Sequence, residues 1–373
     1  MSRVRVVEAR TRRERKAWVR FVFDHYRDHP RAVPQLLHDE IAYFDPKRNP
    51  AWEVCEIRLL LALDGDRPVG RVAAILNHRE TERVGHRVGR FGWFETIDDP
   101  GVAHALLDTA KEWLDELGCM EFIGPYGFTD LDPSGILIEG HDQIPTVAGS
   151  YHPPYYPKLL EEYGFEKLVD YLEFRMDISE PVPFLERLRD RAGIDGYRVV
   201  SPSSRGELKR RAPDFWDLLE REYAHLTGVV PLTPEQTEFY TRKYLSFLDP
   251  RFVKLGFDEE DTLVGFFVGM PNLSRAFRKT GGRLLPFGFW HILRAYRRPD
   301  TVDLLLAAVS SDAPTDRFTL WGFIEIVDAM RARGVRYLEA NRQLETNTRV
   351  HRLWRKFNVI GERRTRIYRM PLG

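Results

Sequence analysis

The sequence predicts an α/β (α+β) protein made of two copies of one unit. Three observations carry that reading: an element order that runs twice along the chain, glycine and tyrosine landmarks at nearly constant offsets, and a closing strand–crossing–helix–strand with a counterpart in the first half. Gly70 corresponds to Gly265 and Tyr171 to Tyr368, offsets of 195 and 197 residues. Gly118 and Gly334 are 216 apart, because the second half carries an insertion at 273–299 while the first recovers the length in a loop over 124–154. The expected division is 1–178 and 179–373.

In the first copy, Val4 to Val7 reads as a strand, and Thr11 caps a helix with Trp18, Phe21, Val22 and Tyr26 on its apolar face. Short helical turns follow over 29–50. Cys55 to Leu63 and Val69 to Leu76 form a hairpin across Asp64-Gly65-Asp66, and Val88 to Phe94 is a third strand. Asp99 with Pro100 starts a helix, whose apolar face runs from Val102 to Leu117 before the Gly118 stop. Met120 to Ile123 is a strand, and Pro157 to Tyr163 a short helix closed by Gly164. Leu168 to Ile178 is the last strand of this copy.

After a charged helix from Phe184 to Arg191 the order recurs. Tyr197 to Val200 is a strand, and Leu208 to Tyr223 and Pro234 to Tyr244 are helices. Phe252 to Phe257 pairs with Leu263 to Gly269; then come a strand at Val302 to Val309 and a helix at Phe318 to Arg333. The close is a strand at Tyr337 to Ala340, a helix capped by Asn347 or Thr348 with apolar positions 350, 353, 354 and 357, and a strand around Tyr368. Asn358 is expected to end that helix in a left-handed conformation.

Composition bounds the function classes. At 373 residues, with 43% hydrophobic and 30% charged residues, the chain reads as globular with two or more cores. Lys plus Arg and Asp plus Glu are 56 each, so no global field favours nucleic acid, and none is expected as a partner. Cys55 and Cys119 lack metal-ligand spacing, and no metal site is expected. Met1 to Arg20 holds no apolar leader core and no stretch approaches a membrane span, which points to the cytoplasm.

Six motifs carry a resemblance: Arg90-Phe91-Gly92-Trp93-Phe94-Glu95, Gly124-Pro125, Pro153-Pro154-Tyr155-Tyr156, Gly164-Phe165-Glu166-Lys167, Gly282 to Gly288, and Leu344-Glu345-Thr346-Asn347. With the repeated order, the chain resembles a tandem GNAT (Gcn5-related N-acetyltransferase) protein of the bacterial ceramide-synthase-like branch. The resemblance implies two GNAT-like folds in tandem, each a mixed, mostly antiparallel sheet flanked by helices. It implies an N-acyltransferase that moves an acyl group from a thioester, acyl-CoA or acyl carrier protein, to an amine such as a sphingoid-type lipid, with no tightly bound cofactor. An aminoacyl-tRNA-dependent transferase of tandem GNAT architecture, and a catalytically degenerate GNAT-like binding protein, are the alternatives.

Two departures from the superfamily pattern stand out. Neither half has the glycine-rich pyrophosphate loop: the first has Ile97-Asp98-Asp99-Pro100-Gly101, and in the second only Arg317, Thr319 and Gly322 offer a partial anion site, so the donor is assigned there. The general-acid tyrosine of many GNAT enzymes is replaced by Leu160 and Trp354, so catalysis rests on other groups or water, or the copy is inactive. Glu345, Asn347 and His351 are the candidate catalytic residues, able to orient or deprotonate an amine, against capping plus a solvated acid. Glu95, Tyr151, Tyr155, Tyr156 and Trp290 are the candidate substrate contacts: Glu95, at a strand end, reads as a base or as a simple helix-start acid, and the tyrosines as rigid rings near the same crossing, lining a cleft or packed as core. Over 273–299 basic residues interleave with aromatics, and no acid occurs before Asp300. This segment reads either as an amphipathic lid meeting anionic lipid at the inner membrane or a long acyl chain, or as a solvated insertion packing its aromatics on its own half, with a nucleic-acid contact as a third, weaker reading.

Overall fold

The computed structural model describes residues 4–189, 193–284 and 287–373. Arg191, the expected end of the charged helix, and Leu285-Pro286 of the insertion lie outside the described residues. The chain forms two compact units, one of Met1–Leu172, Ser274–His291 and Arg363–Gly373, the other of Glu173–Leu273 and Ile292–Glu362. The C-terminal strand bonds to a strand of the first unit, and Leu37 N–H donates to the Gly282 carbonyl at 3.0 Å.

The first unit opens with β1 (Arg5–Glu8), α1 (Arg12–His25), α2 (Leu37–Tyr43) and α3 (Ala51–Val54). Thr11 caps α1 in a reciprocal box with Glu14, which satisfies two of the helix's unpaired N–H groups. Then follow β2 (Cys55–Asp64), β3 (Arg67–Asn77), α4 (His78–Val84), β4 (Val88–Thr96), α5 (Pro100–Glu116), β5 (Glu121–Gly124), β6 (Ile136–Glu139), α6 (Tyr155–Tyr163) and β7 (Glu166–Asp177). β1 to β4 pair antiparallel in sequence order, and β4 pairs parallel to β5. The core lies between this sheet and α5, with Leu106, Leu107 and Ala110 fully buried. The 124–154 segment, expected as loop, contains β6 and buries Tyr126 and Phe128. It is part of the unit's packing.

The second unit's elements are α7 (Pro183–Leu188), β8 (Arg198–Val200), α8 (Arg205–Arg210), α9 (Ala212–Tyr223), α10 (Pro234–Leu245), β9 (Val253–Phe257) and β10 (Leu263–Pro271). The chain continues through α11 (Ser274–Thr280), α12 (Gly288–Arg297), β11 (Thr301–Val309), α13 (Thr315–Arg331), β12 (Tyr337–Leu344), α14 (Thr348–Trp354) and β13 (Asn358–Pro371). β8 to β11 pair antiparallel in sequence order and β11 pairs parallel to β12, the same pattern as β1 to β5. The helix expected over 208–223 is split at Arg211, because Pro213 in the first turn of α9 supplies no N–H to continue α8. Asn358 opens β13 instead of closing a helix; α14 ends through Arg355 in right-handed geometry.

The glycine landmarks have one physical cause in both copies. A side chain at Gly70 would meet Leu106 of α5 at 2.8 Å, and one at Gly265 would meet Phe318 of α13 at 2.8 Å. Each glycine lets the long helix lie close on the second strand of its hairpin.

Candidate active site

The site begins with the run Arg90 to Glu95 on β4. Arg90 is buried and forms a two-bond ion pair with Glu80 of α4, Nε to Oε2 and Nη2 to Oε1 both at 2.5 Å. Gly92 passes beneath the Tyr126 carbonyl so closely that a Cβ would stand 2.2 Å from its oxygen. The pairing with β3 then shifts, so that the partner of Ala73 is Gly92 while that of Arg71 is Glu95. This is a bulge, and Trp93 within it takes φ 48°, a conformation a bulky residue holds only when its surroundings fix it. The indole packs on Phe44 and Phe128, ring centroids 4.8 and 4.9 Å away. The consequence is the placement of Glu95.

Glu95 Oε2 accepts hydrogen bonds from the hydroxyl of Tyr26, at the C-terminal end of α1, at 2.6 Å, and from that of Tyr156 on α6 at 2.9 Å. The Thr96 N–H donates to the Tyr156 oxygen at 2.9 Å, and Tyr155 donates to the Thr96 carbonyl at 2.7 Å. His25 Nε2 lies 3.4 Å from the Tyr156 oxygen. Burial raises the Glu95 carboxyl to about 7, against the lowering effect of Arg71 and the two hydroxyls. Burial lowers His25 to about 4, with Arg71 and His29 adding to it, so this imidazole is neutral at neutral pH. Tyr26 and Tyr156 are held well above their ordinary value, by burial first and Glu95 second, and stay protonated. Glu95 is therefore the member of the cluster that changes charge near neutrality.

Arg71 is Glu95's cross-strand partner and is 2% exposed. Its Nη1 donates to the Trp18 carbonyl at 3.3 Å, its guanidinium lies over the Trp18 ring at 4.3 Å, and its Nε has no hydrogen-bond partner among the described residues. Arg71, Glu95 and Tyr26 line a cavity of about 1010 Å³, together with Trp93, His29 and Tyr151. The Tyr151 and His29 rings are 4.4 Å apart. A cavity of this size, lined by aromatic rings together with many charged side chains, is large enough for a small-molecule substrate.

The structure brings Glu95, Tyr151 and Tyr156 to this one locus, with Tyr155 stacked on Tyr156 at 4.7 Å. Trp290 is not among the lining residues; it is 58% exposed on α12. Glu345, Asn347 and His351 are in the second unit. Asn347 caps α14 by accepting from Val350 N–H, and His351 is buried against Phe174 at 5.6 Å. Arg317 donates to the Gly193 carbonyl at 2.7 Å, and Thr319 is half-buried in the first turns of α13. Gly322 lies mid-helix, where a Cβ would stand 1.9 Å from the Phe267 ring. Of the two positions replacing the general-acid tyrosine, Leu160 is core and Trp354 is buried with its N–H on Gln343 at 2.7 Å. Sequence reasoning missed Arg71, His25 and the polar role of Tyr26. An arginine inside a predicted apolar hairpin, between Gly70 and Val72, was the available signal.

No protein-family model matches the chain. Among curated proteins it is 27% identical over 266 residues to Bacterial ceramide synthase of Caulobacter vibrioides, covering 71% of this chain and 69% of that protein. It is 27% identical over 364 residues to Protein YghO of Escherichia coli, covering 95% and 92%. Among solved structures, a tandem GNAT protein from the clavulanic acid biosynthesis pathway matches with a TM-score of 0.59 at 12% identity, covering 100% of this chain and 99% of that one. The fold is a tandem GNAT fold. A GCN5-related N-acetyltransferase from Sphaerobacter thermophilus agrees, with a TM-score of 0.53 at 12% identity over 100% of this chain and 96% of that one. In GNAT terms β4 and β5 are the parallel pair of the first copy, and Glu95 stands where their pairing, last registered at Arg90 and Ile123, has ended. Among the described residues no His, Cys, Asp and Glu group is arranged to hold a metal, and no helix is long and apolar enough to cross a membrane.

Proposed function

We propose that the chain is an N-acyltransferase that moves an acyl group from a thioester, acyl-CoA or acyl carrier protein, to an amine of lipid-like character, with Glu95 as the general base. The observation that carries this reading is the Glu95 carboxyl, raised to about 7 and held by two tyrosine hydroxyls on the wall of a large cavity. Both hydroxyls go to Oε2, and Oε1 accepts no hydrogen bond among the described residues. An amine in the cavity attacks the thioester carbonyl carbon, the C–N bond forms as the C–S bond breaks, the amine's proton passes to Glu95, and the thiolate takes a proton from water. A base whose pKa is near the working pH is both available and strong enough for that transfer. The resemblance to a protein named as a ceramide synthase supports a long-chain amine as acceptor.

Contact with anionic membrane belongs to the same proposal. Leu284, Phe287, Phe289 and Trp290 are exposed at 42, 71, 42 and 58%, and Lys279 and Arg283 are close by in sequence. Apolar rings beside cations, with no acid in the segment, suit the interface of an anionic bilayer. The transferase reading is tested by following free thiol during incubation with a long-chain acyl-CoA and a sphingoid base. Release that requires both substrates is expected; no release from any acyl-CoA or acyl carrier protein thioester would overturn it.

A further inference from the structure

We propose that the mouth of the Glu95 cavity is a binding site for a phosphate group of a substrate, built by Arg278 and Lys279 of α11 and not by the turn between β4 and α5. The inference rests on the transferase reading only for the identity of the molecule that carries the phosphate.

The turn after β4 is unsuited to an anion. It carries Asp98 and Asp99, and the Asp99 carboxylate already takes the free N–H groups of Gly101 and Val102 at the start of α5. The cavity wall has the opposite balance. Seven cationic side chains, Arg20, Arg27, Arg71, Arg275, Arg278, Lys279 and Arg283, line it against four carboxylates, Asp24, Asp28, Glu40 and Glu95. Of these acids Asp24 is paired with Arg27, and Glu95 is largely neutral below pH 7. The excess is local, since the whole chain has zero net charge.

Arg278 and Lys279 form no ion pair among the described residues, although both line the cavity. Burial holds the Arg278 guanidinium below its usual value, and Arg31 and Arg275 push it further in the same direction. Burial, Arg31 and Arg278 likewise lower His29. Like charges this close to Arg278 raise the local positive potential, which favours an anionic group beside it. The buried Nε of Arg71, also on the cavity wall, has no acceptor among the described residues. The segment bearing α11 is positioned firmly. Gly282 at φ 72° accepts a hydrogen bond from Leu37 N–H through its carbonyl, and a Cβ there would stand 2.2 Å from the Gln35 carbonyl oxygen. Cationic side chains on a firmly placed segment at the cavity wall suit a phosphate group of a ligand that extends into the cavity.

The phosphate could belong to the thioester carrier or to a phosphorylated amine, and binding measurements separate the two. Calorimetric titration of the full chain would use coenzyme A, a sphingoid base 1-phosphate and the unphosphorylated base, with Arg278→Gln, Lys279→Gln and, as a control for lost charge, Arg298→Gln. At least one phosphate ligand is expected to bind about tenfold more weakly to each α11 variant, with a smaller salt dependence and little change in Arg298→Gln. Loss confined to coenzyme A assigns the phosphate to the donor; loss confined to the phosphorylated base assigns it to the acceptor. Equal affinity in Arg278→Gln, Lys279→Gln and wild type would overturn the site, even if acyl transfer occurs. Intact phosphate binding with no transfer by wild type would overturn the transferase reading and leave the site standing.

Discussion

Replacing Glu95 by Gln gives a stability signature that does not depend on knowing the substrate. The Glu95 carboxyl is raised from an ordinary 4.5 to about 7 in the folded chain. Between those values the folded protein holds a proton that the unfolded chain has released, so stability falls as pH rises through this window and levels off above it. At about 1.4 kcal/mol per pH unit, a gap of about 2.5 units amounts to about 3 kcal/mol. Gln is isosteric with the protonated acid, and its carbonyl oxygen can accept from both Tyr26 and Tyr156, which donate to one oxygen in the wild type. The substitution therefore removes the charging cost while keeping the hydrogen bonds. Urea unfolding should show the two proteins within about 1 kcal/mol of each other near pH 4.5, and the variant more stable by about 2–3 kcal/mol near pH 8.5. The neighbouring histidines and arginines are common to both chains, so the difference isolates Glu95. Parallel stability profiles across that range would refute the reasoning.

Other expectations follow from the same geometry. Glu80→Gln leaves the Arg90 guanidinium buried without its carboxylate, and should lower stability by about 3–5 kcal/mol in chemical unfolding. Gly70→Val and Gly265→Val each place methyl groups against a long helix and should cost about 1–3 kcal/mol or more. Similar losses at the two positions would reflect their common role in the repeat, and a neutral effect at either would count against it. Phe287→Ser with Trp290→Ser should reduce flotation with phosphatidylglycerol vesicles while leaving thermal unfolding unchanged, because both rings are exposed. Undiminished flotation would remove the membrane contact.

The repeat was legible because its landmarks have a local cause. A glycine facing a long helix is visible as a glycine in a hairpin strand, and Asp99-Pro100, Gly118, Gly164 and Gly334 mark helix ends by backbone chemistry that needs no partner. Glu95 was legible as an acid at a strand end, and the tyrosines as rigid rings near it. Tyr26 was read only as part of the apolar face of α1, since the spacing that buries a ring does not reveal that its hydroxyl reaches a carboxylate 69 residues away. Arg71 was hidden for the same reason: its environment consists of Trp18, Glu95 and a cavity, none adjacent in sequence. The insertion's basic-aromatic character was plain. That α11 packs in the first unit depends on the contact between Gly282 and residues 35–37, which no periodicity encodes.

The central claim is that Glu95 acts as the base, and its most direct test is the pH dependence of kcat/KM for acyl transfer in wild type and Glu95→Gln. A wild-type rate that rises with pH through about 7, and a variant that has lost most activity and that rising limb, is the predicted result. A variant that retains both the activity and the limb would contradict it.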